Sequence, residues 1–315
     1  MKIVIAGAGA VGGHLAKLFS RENHDITLID DDPQRLRSLE NSYDLSVLEG
    51  SATSLTILRN AGVSEADLFV GVTKNESQNL NACIFAHELG AKKTVARVDS
   101  EDLMEQENRT LLAKLGVEKL IYPELLASQE IAQSIRQSWV RQWIDFNGGK
   151  LLVLGVKVRD NAPIVNKRLM DLKGSQNYRI VTIKREEETI IPGGYTEILP
   201  DDLVYFITSP DNAKYVRLAC NKKDINVNRV VFIGGTRLGI QSTHFLPKNI
   251  SIVFVNRGQK EAEMLMEKVP SASVIDGDSS DLDTLNEIGL GQGDALVALG
   301  ENSGSNVLAC LMAKK

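Results

Sequence analysis

The sequence is poor in the residues that most often carry catalysis or bind metals. It has three cysteines and four histidines among 315 residues. No two cysteines have the spacing of a zinc site, and an odd, sparse count is typical of a reducing compartment. A nucleophile elbow, a Walker A sequence and a zinc-binding pattern are all missing. The histidines, none of which stands in a motif that would polarise a substrate carbonyl, are His14, His24, His87 and His244. These absences disfavour an enzyme.

Two further absences narrow the class of protein. No apolar run approaches the roughly 18 residues that a membrane-spanning helix needs, and the first residues do not have the layout of a signal peptide. Lysine and arginine number 36 against 41 acidic residues, for a net charge of -5, so the basic excess expected of a nucleic-acid-binding protein is missing. The length predicts about two domains, and a hydrophobic content of 43% is enough for more than one core.

A dinucleotide-binding pattern opens the chain. The apolar residues 2–6 (KIVIA) predict a buried strand, and apolar side chains at helical spacing predict a helix from Ala10 to about Arg21. The strand-to-helix turn between them carries three glycines at fingerprint spacing: Gly7, Gly9 and Gly12. The first allows the tight turn, the second lets a pyrophosphate approach, and the third lets the helix pack on the strand.

An acidic residue stands where this fingerprint expects one. The predicted strand DITLID ends in Asp30, 18 residues after the last glycine, where a carboxylate binds the ribose hydroxyls of a nucleotide. Asp31 and Asp32 follow it. Three carboxylates together would repel a 2′-phosphate, so the sequence favours NAD over NADP.

The alternation of strands and helices continues to about residue 123. Strands are predicted at 45–50, 67–73, 93–98 and 118–123, and helices at 33–41, at 54–61 with Ser54 as cap, and at 75–89. This pattern is typical of a doubly wound parallel sheet, which binds ligands at the carboxyl ends of its strands. The candidates at those ends are Asp30, 50–53, 73–76 and Arg97. Arg97 faces the crevice and is suited to a phosphate, or else forms a surface ion pair.

The last part of the chain repeats the first at an offset of 227 residues. VVFIGGTRLG (230–239) matches IVIAGAGAVG, 277–285 matches 50–58, and 294–310 matches 67–83. Thr236 replaces Gly9, and Asn256 and Arg257 replace Asp30. We expect this copy to bind a nucleotide weakly or differently, or to be purely structural. Because it stops before a counterpart of Arg97, we expect the sequence to continue in a longer protein.

The segment between the copies has a different composition. Residues 142–222 predict a small α+β domain with a short helix at LMDLKG and hairpins around EEE and PGG. Such a domain could be a regulatory ligand module or a dimer interface. The preceding amphipathic helix, 123–139, either caps the edge of the first sheet or crosses to a partner subunit. Its apolar stripe consists of Leu125, Ile131, Ala132, Ile135 and Trp139.

Taken together, these motifs resemble the RCK or KTN family of cytosolic nucleotide-binding subunits of potassium channels and transporters. The resemblance is carried by GAGAVG, Asp30, GSAT, VTKNES, ARV, PELLASQEIA, IPGG and LPDDLVYFI, in that order, and it covers the whole chain. It implies an α/β fold of tandem Rossmann-like doubly wound parallel sheets separated by a small α+β domain of the RCK C-terminal type. The implied domains are 1–122, the crossover helix 123–141, the regulatory domain 142–222, and an incomplete second nucleotide domain, 228–315.

The resemblance also implies a function and a site. Such proteins bind NAD(H), and also ATP or ADP, in the first domain, and assemble as homodimers or homotetramers. They lie in the cytoplasm on the inner face of the membrane, beneath an integral-membrane potassium channel or transporter subunit that they gate. The family's binding positions correspond here to Gly7, Ala8, Gly9, Ala10, Val11, Gly12, Asp30, Asp31, Ser51, Ala52, Thr53, Thr73, Asn75 and Arg97.

One position departs from the family pattern. Many relatives have a second basic residue two positions after the arginine of strand five, where this chain has Asp99. A carboxylate near a γ-phosphate opposes a triphosphate, so NAD(H) or ADP is favoured over ATP. Two other functions remain open from the residues alone: an NAD-dependent oxidoreductase with 142–222 as substrate domain, and a regulatory module of a different transporter.

Overall fold

The computed structural model of the protein describes residues 1–172, 176–223, 225–277, 284, 288–291 and 293–314. The chain divides into two compact units, Met1–Leu126 and Ala127–Lys315. Within the described residues, no helix is both long enough and apolar enough to cross a membrane.

The first unit is built on a six-stranded parallel sheet in the order β3-β2-β1-β4-β5-β6. Its strands are β1 (Lys2–Ala6), β2 (Asp25–Asp30), β3 (Ser46–Glu49), β4 (Leu68–Gly71), β5 (Thr94–Arg97) and β6 (Lys119–Ile121). Its helices are α1 (Ala10–Ser20), α2 (Pro33–Glu40), α3 (Leu55–Asn60), α4 (Glu76–Leu89) and α5 (Gln106–Lys114). This strand order belongs to the Rossmann fold and confirms the predicted class.

The predicted elements of this unit agree with the structure within a few residues, with one omission. The helix α5 was not predicted, because its sequence QENRTLLAK is mostly polar and none of its residues is buried. Ser54 caps α3 as expected, accepting a hydrogen bond from the amide of Ile57. Proline at the first position of α2 fits a helix start, since its missing N–H would have no helical partner there.

The sheet of the first unit is covered on both faces. Ile3 and Ile5 pack into one apolar cluster together with Leu28, while Val4 and Ala6 pack into another on the opposite face. Side chains alternate across a strand, so a sheet with both faces buried needs a nearly continuous apolar run. That requirement explains the composition of β1 and of the carboxyl-terminal half of β2.

The turn between β1 and α1 depends on glycine at two positions. Gly7 has a φ of +113°, and a Cβ added there would lie 2.8 Å from the amide nitrogen of Thr73. At Gly12 a Cβ would lie only 1.7 Å from the carbonyl oxygen of Gly7. Helix α1 therefore approaches the end of β1 more closely than any side chain would allow.

The second unit contains the small domain, whose five-stranded sheet has the order β10-β9-β11-β8-β7 and is antiparallel. Its strands are β7 (Gln142–Phe146), β8 (Leu151–Lys157), β9 (Tyr178–Arg185), β10 (Glu188–Ile190) and β11 (Leu203–Thr208), followed by helix α7 (Ala213–Ala219). The hairpin around EEE is confirmed by the pairing of β9 with β10.

Two details of the small domain differ from prediction. The expected hairpin around PGG is wrong: the chain from 191 to 202 forms no strand, and only Glu197 makes an isolated bridge, to Arg168. The carboxylate of Asp202 instead bonds the amide of Leu199 and the guanidinium of Arg185, which ties this segment down without a strand ladder. The expected helix at LMDLKG is a single 3-10 turn, Leu169–Asp171, and residues 173–175 lie outside the described part.

The repeat predicted from the sequence is present in the second unit. Its parallel sheet has the order β14-β13-β12-β15, the same as β3-β2-β1-β4 in the first unit. The strands are β12 (Arg229–Ile233), β13 (Ser251–Asn256), β14 (Ala272–Asp276) and β15 (Asp294–Ala298), with helices α8 (Arg237–Thr243), α9 (Gln259–Lys268) and α10 (Ser303–Ala313). Of the matched segment 277–285, the structure describes only 277 and 284.

The crossover helix α6 (Pro123–Arg136) packs on this second copy. Ala132 and Ile135 are buried in a cluster with Val230, Phe232 and Phe254. The part of the apolar stripe that was considered for a partner subunit is thus covered by the same chain, and that interpretation is wrong for these residues. Trp139, beyond the end of the helix, packs instead against the core of the small domain.

The close approach at Gly12 predicts a strong effect of the smallest substitution. We expect Gly12→Ala to destabilise the first unit by about 1–3 kcal/mol, because the added methyl collides with a backbone carbonyl that cannot move alone. The unfolding of this unit can be followed through Cys83, its sole cysteine, which is fully buried and whose thiol pKa is raised to about 12 by burial. Mass spectrometry of alkylated Cys83 along a urea series gives the midpoint.

Gly13→Ala is the matched control for this measurement. A Cβ at Gly13 would meet Leu39 at 3.4 Å, an ordinary contact, and alanine is the better helix former. We expect an unchanged or higher midpoint. Equal midpoints for the Gly12→Ala variant and the wild type would contradict the packing described for this turn.

Candidate functional site

A cleft of about 330 Å³ opens at the carboxyl ends of the central strands of the first unit. Parallel strands all end at the same edge, which brings together residues that are far apart in sequence. The lining residues are Gly7, Gly9, Ala10, Val11, Ile29, Asp30, Asp31, Arg35, Gly50, Ala52, Val72, Thr73, Lys74, Asn75, Gln78 and Arg97.

Most of the residues predicted for the site meet in this cleft. Those that line it are Gly7, Gly9, Ala10, Val11, Asp30, Asp31, Ala52, Thr73, Asn75 and Arg97. Four do not. Ala8 and Gly12 are buried beneath the turn. Ser51 and Thr53 hydrogen-bond each other through their hydroxyls at 3.0 Å, in the turn before α3.

The amino terminus of α1 faces the cleft without a side-chain cap. Its N-cap is Gly9, which makes no side-chain hydrogen bond, and no acidic residue stands in the first turn. The first amides of a helix have no helical acceptor, and with the helix dipole they attract an anion. A Cβ at Gly9 would meet nothing within 4 Å. The glycine therefore leaves free space in front of these amides, which suits a phosphate.

Asp30 is held firmly at the opposite wall of the cleft. One carboxylate oxygen accepts a hydrogen bond from the amide of Ala8 at 2.5 Å, and the other accepts one from the amide of Asp32 at 2.9 Å. The residue is 8% exposed. Each carboxylate oxygen can accept a second bond, so the two backbone donors fix the side chain and leave it acceptor capacity for hydroxyl groups.

Arg35 is a lining residue that the sequence reasoning missed. It lies in the first turn of α2, where its guanidinium is 3.1 Å from a carboxylate oxygen of Asp32 and 3.6 Å from one of Asp30. Asp32 also caps α2 through the amides of Gln34 and Arg35. Because Arg35 offsets part of their charge, Asp30, Asp31 and Asp32 do not act as one block of negative charge.

The position of Arg35 follows a general rule: a helix that begins just after a strand end has its first turn at the cleft. The same rule accounts for Gln78, in the first turn of α4, as a lining residue.

The buried side chain of Asn79 joins the ends of β4 and β5. Its amide nitrogen donates to the carbonyls of Thr73 and Arg97 at 3.1 and 3.0 Å. Its oxygen accepts from the amide and the hydroxyl of Thr73 at 2.8 and 2.7 Å. All four hydrogen-bonding positions of this amide are used, which fixes two lining residues relative to each other.

Arg97 lines the cleft but is engaged by a neighbour. Its guanidinium donates two hydrogen bonds to one carboxylate oxygen of Asp99, at 3.0 and 3.3 Å. The loop bearing Asp99 is held by Glu76, whose carboxylate accepts from the amides of Asp99 and Ser100 at 2.6 and 2.8 Å. A ligand phosphate at this end of the cleft would compete with a carboxylate for the arginine.

The second copy keeps the framework of this site but differs at the helix terminus and at the strand end. Thr236, in the position of Gly9, caps α8 by accepting a hydrogen bond from the amide of Gly239 at 3.2 Å. Asn256 takes the place of Asp30 and accepts from the amide of Gly235 at 3.1 Å. Asn306 bonds both backbone groups of Gly300 as Asn79 bonds those of Thr73. The copy therefore lacks both the open helix terminus and the carboxylate.

Comparison with known proteins places the whole chain in one family. The TrkA-N domain model matches residues 3–123 and again 230–315, and the TrkA-C domain model matches residues 153–221. The chain belongs to the TrkA family. The Trk system potassium uptake protein TrkA of Vibrio alginolyticus is 32% identical over 320 residues, and that of Halomonas elongata is 30% identical over 319. The chain is covered completely and spans 70% of each of these relatives.

Solved structures show the same fold as this TrkA-family chain. The GsuK channel aligns with a TM-score of 0.71 at 16% identity, covering 99% of this chain. The GsuK channel bound to NAD aligns with a TM-score of 0.68 at 17% identity, and GsuK bound to ADP with 0.56 at 14%. The chain spans 55% of the length of the first two and 57% of the third.

The network around Asn79 predicts local loosening of the cleft when the side chain is removed. We expect Asn79→Ala to speed amide hydrogen exchange at Thr73 and to destabilise the first unit by about 2–3 kcal/mol, because buried polar groups lose their partners. Hydrogen exchange of peptides covering 71–79 and 94–100 measures this. Asn81→Ala, on the exposed face of the same helix, is the control and should leave exchange unchanged. Unaltered exchange at Thr73 in Asn79→Ala would refute the role assigned to the amide.

Proposed function

We propose that the protein is the cytosolic regulatory subunit of a potassium uptake system and binds NAD(H), ATP or ADP in the cleft of its first unit. It acts as a homodimer or homotetramer on the inner face of the membrane. There, ligand-dependent changes of shape gate an integral-membrane, TrkH/TrkG-like potassium channel or transporter subunit. The observation that carries the proposal is the cleft itself, with an open helix terminus at one wall and Asp30 at the other, in a chain of the TrkA family.

The chemistry of the cleft suits binding more than reaction. Gly9 and the amides of α1 offer donors to a pyrophosphate, and Asp30 offers acceptors to a ribose. The lining also contains the cations Arg35, Lys74 and Arg97. Among the lining residues there is no histidine, which is the commonest general acid or base in catalysis. The relatives' names, which speak of potassium uptake, support a regulator.

The nucleotide class follows from the balance of charges. Asp30, Asp31 and Asp32 favour a free ribose, although Arg35 offsets part of their repulsion of a 2′-phosphate. At the other end, Asp99 occupies Arg97 and disfavours a third phosphate. The structures of GsuK with NAD and with ADP show that a protein of this fold takes both ligands. NAD(H) and ADP are thus the leading ligands, and ATP is third.

Gating by such a cleft requires two ligands that prefer different conformations. A ligand with equal affinity for both states shifts nothing, and a nearly complete switch needs roughly 5.5 kcal/mol of differential binding. NAD(H) and an adenosine phosphate share the adenosine end and differ at the phosphate end, beside Arg97 and Asp99. We assign the differential contacts to that end.

The ribose role of Asp30 is tested by removing its charge while keeping an acceptor. We expect Asp30→Asn to weaken NAD and ADP binding by about 1–3 kcal/mol, because charge-assisted hydrogen bonds to the ribose are lost. The fold should survive, since Asn256 makes the equivalent backbone bond in the second copy. Calorimetric titration with NAD, NADH, NADP, ADP and ATP at one salt concentration measures the change.

The control for this titration is Asp25→Asn, an exposed carboxylate at the other end of β2, which should leave all affinities unchanged. Equal affinities in Asp30→Asn and the wild type would remove Asp30 from the site. Steady loss of NADH absorbance at about 340 nm with an added carbonyl compound would replace the regulator with an oxidoreductase.

The phosphate role of Arg97 is tested through its neighbour. We expect Asp99→Asn to raise the affinity for ATP more than that for NAD, because the guanidinium is released and a negative charge is removed from the phosphate end. The measurement is the ratio of the two dissociation constants. Asp102→Asn, a nearby exposed carboxylate outside the cleft, should leave the ratio as it is. A ratio unchanged in Asp99→Asn would show that Arg97 does not meet the terminal phosphate.

A further inference from the structure

A second cavity, of about 490 Å³, lies within the second unit and is distinct from the nucleotide cleft. Three stretches of chain surround it: the end of α6 with the link to β7, the end of β8, and the segment that follows α7. Its volume falls in the range of small-molecule sites. The basic side chains that line it are Arg141, Lys157, Arg159, Lys222 and Lys223.

A neighbouring carboxylate, Asp201, offsets part of the positive charge of this cavity, and its pKa is lowered by Lys157 and also by the charge of Arg159. Lys157 pairs with Asp201 at 3.0 Å. Within the part of the chain that the structure describes, the other four cations form no ion pair; Asp224 lies outside that part. The whole chain carries a net charge of -5, so such a concentration of one sign is a local feature.

The cations act on one another. Burial lowers the pKa of the Lys222 ammonium, and the charges of Arg159 and Arg141 lower it further. Bringing like charges together costs free energy, which an anion in the cavity would recover. A concave wall of lower dielectric also concentrates the field that attracts the anion.

We propose that this cavity binds a small, multiply charged phosphate anion. Two arginines offer paired N–H donors that match phosphate oxygens, and two lysines offer point charges. The hydroxyls of Ser134 and Ser138 line the same cavity and add neutral donors. Four cations that form no ion pair with a described carboxylate suit a ligand with three or four negative charges, such as a triphosphate group, better than a single carboxylate. This site makes the small domain a ligand module with its own chemistry.

The experiment uses inorganic triphosphate as the probe and the full chain with NAD present in excess, so that the first cleft is occupied. Calorimetry compares the wild type with the variant Arg159→Gln/Lys222→Gln. We expect the double variant to bind triphosphate at least roughly tenfold more weakly, the loss of about one charge-assisted contact. Lys167→Gln/Lys184→Gln removes two exposed lysines of the same domain outside the cavity and should bind like the wild type.

The melting temperature of the ligand-free protein distinguishes a variant that has lost the anion site from one that no longer folds. Removing two mutually repelling cations should leave the ligand-free melting temperature of the double variant equal or higher, while the rise caused by triphosphate disappears. Affinity should also fall steeply with salt, since the ligand is held by charge. A repetition in Asp30→Asn, with the NAD concentration raised so that the first cleft stays occupied, should give unchanged triphosphate binding, so failure of the nucleotide proposal and failure of this one are distinguishable.

Two outcomes would overturn the proposal. One is triphosphate binding that is absent, or equal in the wild type and the cavity variant. The other is that the protein binds vesicles containing phosphatidic acid but not free triphosphate, and that Arg159→Gln/Lys222→Gln abolishes this vesicle binding. The surface would then be a lipid contact and not a small-anion site.

Discussion

The close approach of α1 to the end of β1 is the constraint on which the nucleotide cleft depends. With no side chain at Gly12, the helix backbone rests against the carbonyl of Gly7. That contact sets where the first amides of the helix point, and it brings the amide of Ala8 to the carboxylate of Asp30. One packing contact therefore fixes both walls of the cleft. A bulkier residue at Gly12 would move the donors and the acceptor together.

The two copies share a framework and differ at the positions that would contact a nucleotide. Both keep the strand order, an asparagine that bonds the backbone at the end of a strand, and an asparagine that caps the following helix. They differ at the helix terminus, where Thr236 supplies from within the chain the acceptor that an anion would otherwise supply. Among its described residues, the second copy thus retains interactions that stabilise the fold and lacks the open helix terminus and the carboxylate of the first. Fold and site are separable in this chain.

Most of the first unit could be predicted because its signals are local. Apolar runs, a proline and capping residues mark the elements, and the rule of strand ends points to the cleft. The features that were not predicted either depend on contacts between residues far apart in sequence or leave only a weak pattern in the sequence. The polar helix α5 has no fully buried residue. Arg35 reaches the cleft from the first turn of α2, to which the sequence analysis assigned no role. Asn79 acts through four hydrogen bonds that no sequence spacing reveals. In the small domain, Asp202 organises residues without a strand ladder, so turn residues alone mispredicted a hairpin.

The two anion sites differ in the physics of attraction, and this bears on how they could serve regulation. The first relies on backbone amides and a helix dipole, held in place by packing, with carboxylates to select the sugar. The second relies on long cationic side chains around an open cavity, and salt screens the electric field of these side chains. A ligand at one site can change the affinity of the other site only if both ligands shift the same conformational equilibrium of the chain. The change in binding free energy is then equal in both directions. A reciprocal change in the two affinities, measured at constant salt, is therefore the thermodynamic criterion for treating the small domain as a second input to the same switch.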